Sequence, residues 1–82
     1  MILINVYFIE MGCAYDFKVD VNAPVFQIAE DIISMITLKE HVTLSKEAGL
    51  FLLCSKTKRR ALDSAKTLHE NGISSEDDLI LV

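Results

Sequence analysis

Few residues in this chain have the type and spacing that chemistry requires. His41 and His69 are the only two histidines. Neither has a Cys, Asp or second His at metal-ligand spacing, so no metal site or histidine base is expected. The two cysteines, Cys13 and Cys54, are too few for a disulfide framework. They read as free thiols of a reducing compartment, with Cys54 buried inside an apolar run. Glu76-Asp77-Asp78 could hold a cation, but the remaining ligands of a calcium loop are missing and a solvated turn is expected. The three glycines stand far apart, which leaves no phosphate cradle, and there is no nucleophile elbow. Neither an enzyme nor a cofactor is expected.

One cluster remains, the basic run Lys56-Thr57-Lys58-Arg59-Arg60. Its four cations, Lys56, Lys58, Arg59 and Arg60, could dock against acidic protein, anionic lipid or RNA. No aromatic platform is interleaved with them, and a soluble turn that discourages edge pairing is the preferred explanation. Eight basic against twelve acidic residues give a net charge of −4, so nucleic acid is not the favoured partner.

The elements that must position these residues follow from hydrophobic periodicity. Eighty-two residues, 51% of them hydrophobic, predict one ordered domain over 1–82. Neither a membrane-spanning run nor the marks of a secretory signal are present. A cytoplasmic chain is expected, peripheral to a membrane only through a partner. Ile2 to Ile9 and Tyr15 to Val21 alternate as strands, joined by a turn at Glu10 to Cys13. Folding about Met11-Gly12 sets Phe8 opposite Tyr15, Val6 opposite Phe17 and Ile4 opposite Val19, all on one face.

Pro24 suits a helix start. Val25, Ile28, Ile32 and Met35 recur at helical spacing, with Ala29 and Ile36 beside them, to about Thr37 or Leu38. Phe26 and Ile33 widen that stripe into a thick core. Lys39 to Ala48 reads as a connection with one helical turn near Thr43. Gly49 to Ser55 reads as a buried strand whose inward face periodicity cannot assign, and Arg59 to Leu62 as a short return strand. Thr67 and Glu70 form a capping box, closed by Gly72 with Leu68 over Ile73. Leu79 to Val82 is a last strand. The order is ββαββ, a capped turn, then β.

That order resembles the ubiquitin-like β-grasp, an α+β fold in which a mixed sheet of four to five strands packs on one helix. The stretch Leu62-Asp63-Ser64-Ala65-Lys66-Thr67-Leu68 through Ile73 to Leu79-Ile80-Leu81 is similar to the same part of ubiquitin without a gap. Asn71 stands where ubiquitin has a tyrosine, and Ala65 where it has a glycine. A closer resemblance is to the EsaB/YukD family, ubiquitin-like proteins of the type VII (ESX/WXG100) secretion systems of Gram-positive bacteria. It rests on Tyr15-Asp16-Phe17, on Pro24 before the helix, and on length and element order. The resemblance implies a non-enzymatic adaptor or regulator whose protein partner is a cytosolic part of a membrane secretion machine. A modifier would need a flexible Gly-Gly tail, so conjugation through Leu81-Val82 is not expected.

The resemblance to the β-grasp also implies that the last strand lies beside the first and parallel to it, which makes a partner surface readable. With Leu79 and Leu81 inward beside Ile4 and Val6, the residues Ile80 and Val82 point outward beside Tyr7 and Ile9, joined by Leu52 or Leu53. Exposed apolar area of that kind marks a contact with a partner or with a second copy of the chain. Tyr7, Ile9, Ile80 and Val82 are therefore the expected partner-binding residues.

Overall fold

The computed structural model describes residues 1–44, 47 and 50–82. Strand β1 spans Ile2–Phe8, β2 Cys13–Val19, β3 Leu53–Ser55, β4 Arg60–Ala61 and β5 Asp78–Leu81, with one helix, α1, over Val25–Glu40. The five strands form one sheet in the order β2-β1-β5-β3-β4. β5 runs parallel to β1 and antiparallel to β3.

The hairpin forms as the alternation predicts, in a register two residues tighter. Phe8 faces Cys13, Val6 faces Tyr15, and Ile4 faces Phe17. The loop sets this register: the Phe8 carbonyl accepts from both Met11 N–H and Gly12 N–H, at 3.2 and 2.8 Å. Gly12 takes the left-handed φ of +70° that this tight return requires. A slip of two preserves the parity of every side chain, so the inward set is unchanged.

Helix α1 begins after Pro24, whose own φ of −60° and ψ of 142° are extended. It closes on His41 in the left-handed region, and Thr43 carries no helical turn. The buried helical residues are Val25, Ile28, Ala29, Ile32, Ile33 and Ile36. Met35, expected in the stripe, is instead 46% exposed, and Phe26 is 51% exposed. At about 100° per residue both fall at the margins of the buried arc, while Ile33 lies within it.

Facing the helix, Ile4, Val6, Phe8, Leu53, Leu79 and Leu81 form the concave side of the sheet and are all buried. Removing each such side chain from water contributes roughly 1.5–3 kcal/mol. The apolar run before β3 resolves into alternation: Phe51, Leu53 and Ser55 are buried, whereas Leu50 and Leu52 are exposed. Cys54 is half-buried on the opposite side from Leu53, not enclosed as its surroundings predict. The expected strand start at Gly49 lies outside the described residues.

The connection from β4 to β5 is held by the predicted capping box. Thr67 N–H donates to Glu70 Oε1 and Glu70 N–H to Thr67 Oγ1, each at 3.0 Å. That bond to the backbone amide holds the Glu70 carboxyl below the ordinary carboxylate range. Gly72 turns the chain with φ +76°, and Ile73 N–H returns to the Leu68 carbonyl at 2.9 Å, burying Leu68 under Ile73. Asn71 is buried and fully used: Oδ1 accepts from Asp63 N–H, while Nδ2 donates to the Asp63 and Thr67 carbonyls.

Candidate protein-interaction face

Alternation that sends Ile4, Val6, Leu79 and Leu81 into the core forces their neighbours onto the solvent side. The pairing then aligns those neighbours in rows across the sheet. Ala14, Tyr7, Ile80, Cys54 and Ala61 stand opposite one another in turn and cross all five strands. Above this row, Leu52 and Val82 exchange both backbone hydrogen bonds at 2.9 Å, and Ile9 N–H reaches the Leu81 carbonyl. Below it the row is polar: Asp16, Asn5 and Asp78 are neighbours, and Lys56 N–H donates to the Asp78 carbonyl at 3.1 Å.

All four residues expected at the partner surface therefore share one face. Tyr7 is 42% exposed, Ile9 52% and Val82 37%, with Ile80 partly covered between Tyr7 and Cys54. Leu52, at 52% exposure, is the β3 contribution, and Leu53 is not. Two shallow depressions flank Ile80. One, of about 400 Å³, is lined by Asn5, Tyr7, Ala14, Lys56, Asp78 and Ile80. The other, of about 300 Å³, is lined by Cys54, Lys56, Arg59, Arg60, Ala61 and Ile80. Ile80 is thus the apolar ridge between two hollows, each with charge at its rim. A surface with an apolar centre and a polar border suits protein contact.

The basic run divides in the structure. Lys58 Nζ donates to the carbonyls of Asn71 and Gly72 at 3.0 and 2.8 Å, and Arg60 Nη2 to that of Asn71 at 3.4 Å. Two of the four cations thus satisfy the carbonyl end of the capped turn. Lys56 and Arg59 border the hollows beside Ile80. Periodicity gave no hint of this, because the acceptors lie thirteen and fourteen residues away.

The acidic corner is also structural in part: Asp77 Oδ2 accepts from Ser74 N–H at 2.8 Å and from Ser74 Oγ. Among the described residues no group of three His, Cys, Asp or Glu is placed to hold a metal ion. His69 is exposed within the capped turn, and its N–H reaches the Val21 carbonyl. A polar cluster that sequence reading missed sits at the start of β2. The Tyr15 hydroxyl donates to Glu40 Oε1, Cys13 Sγ lies 3.6 Å from that hydroxyl, and Lys39 Nζ stands 5.2 Å from the Tyr15 ring centroid. The Glu40 bond pushes the Tyr15 hydroxyl well above the ordinary tyrosine range. This cluster ties the end of α1 to the edge of the sheet.

No helix among the described residues is long and apolar enough to cross a membrane. No protein-family model matches the sequence, and no curated protein sequence matches it. The fold does have solved counterparts. One is the ubiquitin-like domain of an Arabidopsis thaliana protein, solved in solution by NMR, which superposes with a TM-score of 0.72 at 18% identity. The alignment covers 99% of this chain and 74% of that one. A mixed five-stranded sheet, a parallel pairing of first and last strands and one helix in the concavity establish an α+β fold: the ubiquitin-like β-grasp.

Proposed function

We propose that this chain is a non-enzymatic protein-interaction module whose outer sheet face, centred on Ile80, docks a protein partner. The observation that carries the reading is that Tyr7, Ile9, Val82 and Leu52 are exposed, with Ile80 partly so, on a side of the sheet that no described strand or helix covers. None of these side chains belongs to the buried core, so closing the core does not explain the patch. At a finer level, the partner is a cytosolic part of a type VII secretion machine, where the chain acts as adaptor or regulator. That step rests on the resemblance to EsaB/YukD proteins in element order and in Tyr15-Asp16-Phe17.

A second reading assigns binding of RNA or acidic protein to Lys56, Lys58, Arg59 and Arg60. The bonds of Lys58 and Arg60 to the Asn71 and Gly72 carbonyls weigh against it, since those donors are already engaged. Salt separates the two readings: binding by the basic hairpin weakens steeply with ionic strength, and binding by the apolar face changes little.

The test is co-purification of tagged Ile80→Asp with the cytosolic parts of a type VII machine, beside a Val82→Asp variant. Both variants keep the circular dichroism and unfolding cooperativity of the parent chain and lose the partner. Undiminished co-purification by both folded variants removes the face from consideration.

A further inference from the structure

The two edges of the sheet are managed in opposite ways. β4 is only two residues long, so it offers almost no template for pairing. β2 is seven residues long, without a proline or a bulge, and ends the sheet on its other side. Its free backbone groups can be assigned. Asn5 N–H and Ile9 N–H donate toward β5, at 3.1 and 3.3 Å, and the Leu3 carbonyl accepts from Glu76 N–H on that side at 2.6 Å. The intervening Ile4, Val6 and Phe8 therefore serve β2 through Phe17, Tyr15 and Cys13. Ala14, Asp16 and Lys18 are left with N–H and C=O groups pointing away from the sheet.

We propose that β2 pairs antiparallel with β2 of a second copy of this chain, about a two-fold axis at Phe17. Charge selects both the occupant and the register. With Phe17 opposite Phe17, Asp16 faces Lys18 of the partner strand and Lys18 faces its Asp16, giving two cross-strand ion pairs. Their outward backbone groups then fall at hydrogen-bonding positions, as an antiparallel ladder requires. Centring the axis on Asp16 instead would oppose the two Asp16 carboxylates, a repulsive arrangement.

A second observation lies on the concave side of the same edge. Met35 lines a hollow with Lys18, Val19, Asp20 and Asp31. It is 46% exposed, and Leu38, one turn further along α1, is 76% exposed. An exposed apolar side chain, Met35, thus borders the unpaired strand, where the paired copy would cover it. The product is a continuous ten-stranded sheet, twice the five of one chain. It presents two outer faces side by side, so a partner with two matching sites would be held bivalently.

The experiment uses the chain alone: sedimentation from micromolar to millimolar concentration, with amide hydrogen exchange at both ends of the range. The expected result is a concentration-dependent dimer in which the Asp16 and Lys18 amides gain protection. Lys18→Asp and Asp16→Lys, which replace exposed side chains, each weaken self-association by about tenfold. An equimolar mixture of the two restores it, since every facing pair is again of opposite charge. A parent chain that stays monomeric at millimolar concentration overturns the proposal, as does a dimer indifferent to both substitutions. Protection of these amides only on adding a different protein assigns the edge to that protein's strand, and also overturns it.

Discussion

The two faces of the sheet are built from the same strands and differ in what their side chains have to do. On the concave face, Leu79 and Leu81 are 1% and 2% exposed, packed with Ile4, Val6 and Ile32. On the convex face, Ile80 and Val82 come from the same four-residue stretch yet meet solvent beside Tyr7 and Ile9. The first set is dictated by folding, because an uncovered sheet face would not hold the strands together. The second set is apolar without that need. Folding alone would accept polar residues there, as it does one row away at Asn5, Asp16 and Asp78. Under the proposed function, the contrast separates stability from recognition at a spacing of one residue.

The sharpest way to break the contrast is a neighbouring pair of truncations. Leu81→Ala is expected to cost about 2–5 kcal/mol in urea unfolding, because it leaves a cavity under α1. Ile80→Ala is expected to cost about 1 kcal/mol or less, because it vacates only partly covered surface. Equal costs would show that the convex face is structural after all. Next in size is Asn71→Ala, expected to cost about 1–3 kcal/mol by stranding the Asp63 N–H, while the Asp63 and Thr67 carbonyls keep the Lys66 and residue-71 backbone N–H groups. Below that, Thr67→Ala removes one half of the capping box and is expected to cost about 1 kcal/mol.

The smallest effect is a pH dependence. Glu70 is held below the ordinary carboxylate range by the Thr67 amide. The folded state therefore binds fewer protons there than the unfolded chain. The stabilisation is fully present above the unfolded value and is lost as pH falls through the lowered, folded one. Glu70→Gln should flatten the stability profile across that acidic interval while leaving partner binding untouched. Persistence of the same slope would place the acid sensitivity on another carboxylate.

Sequence alone carried the concave face far and the rest unevenly. Alternation in Ile4, Val6, Phe8 and in Phe17, Val19 names the inward set, since parity does not depend on register. The register itself depends on where the turn is centred: Glu10 to Cys13 was expected, centred on Met11-Gly12, whereas the turn runs from Ile9 to Gly12, centred on Glu10-Met11. The run Leu50 to Cys54 is apolar on both sides, so its burial is legible only once the last strand and Val82 supply neighbours to Leu52, Leu53 and Cys54. The capping box was legible because its two bonds are local. Lys58, Arg60, Asn71 and the Tyr15–Glu40 bond were not, because their partners are set by tertiary placement. The four convex residues could be named because the parallel β1–β5 pairing, once expected from the resemblance, leaves their side no alternative.

The most direct test of the account follows backbone amide signals of the labelled chain as the cytosolic parts of a type VII secretion machine are added. The account predicts shifts or broadening concentrated at Tyr7, Ile9, Ile80, Val82 and Leu52, with α1 unmoved. Changes confined to Thr57 through Arg60, or to the helix, would contradict it.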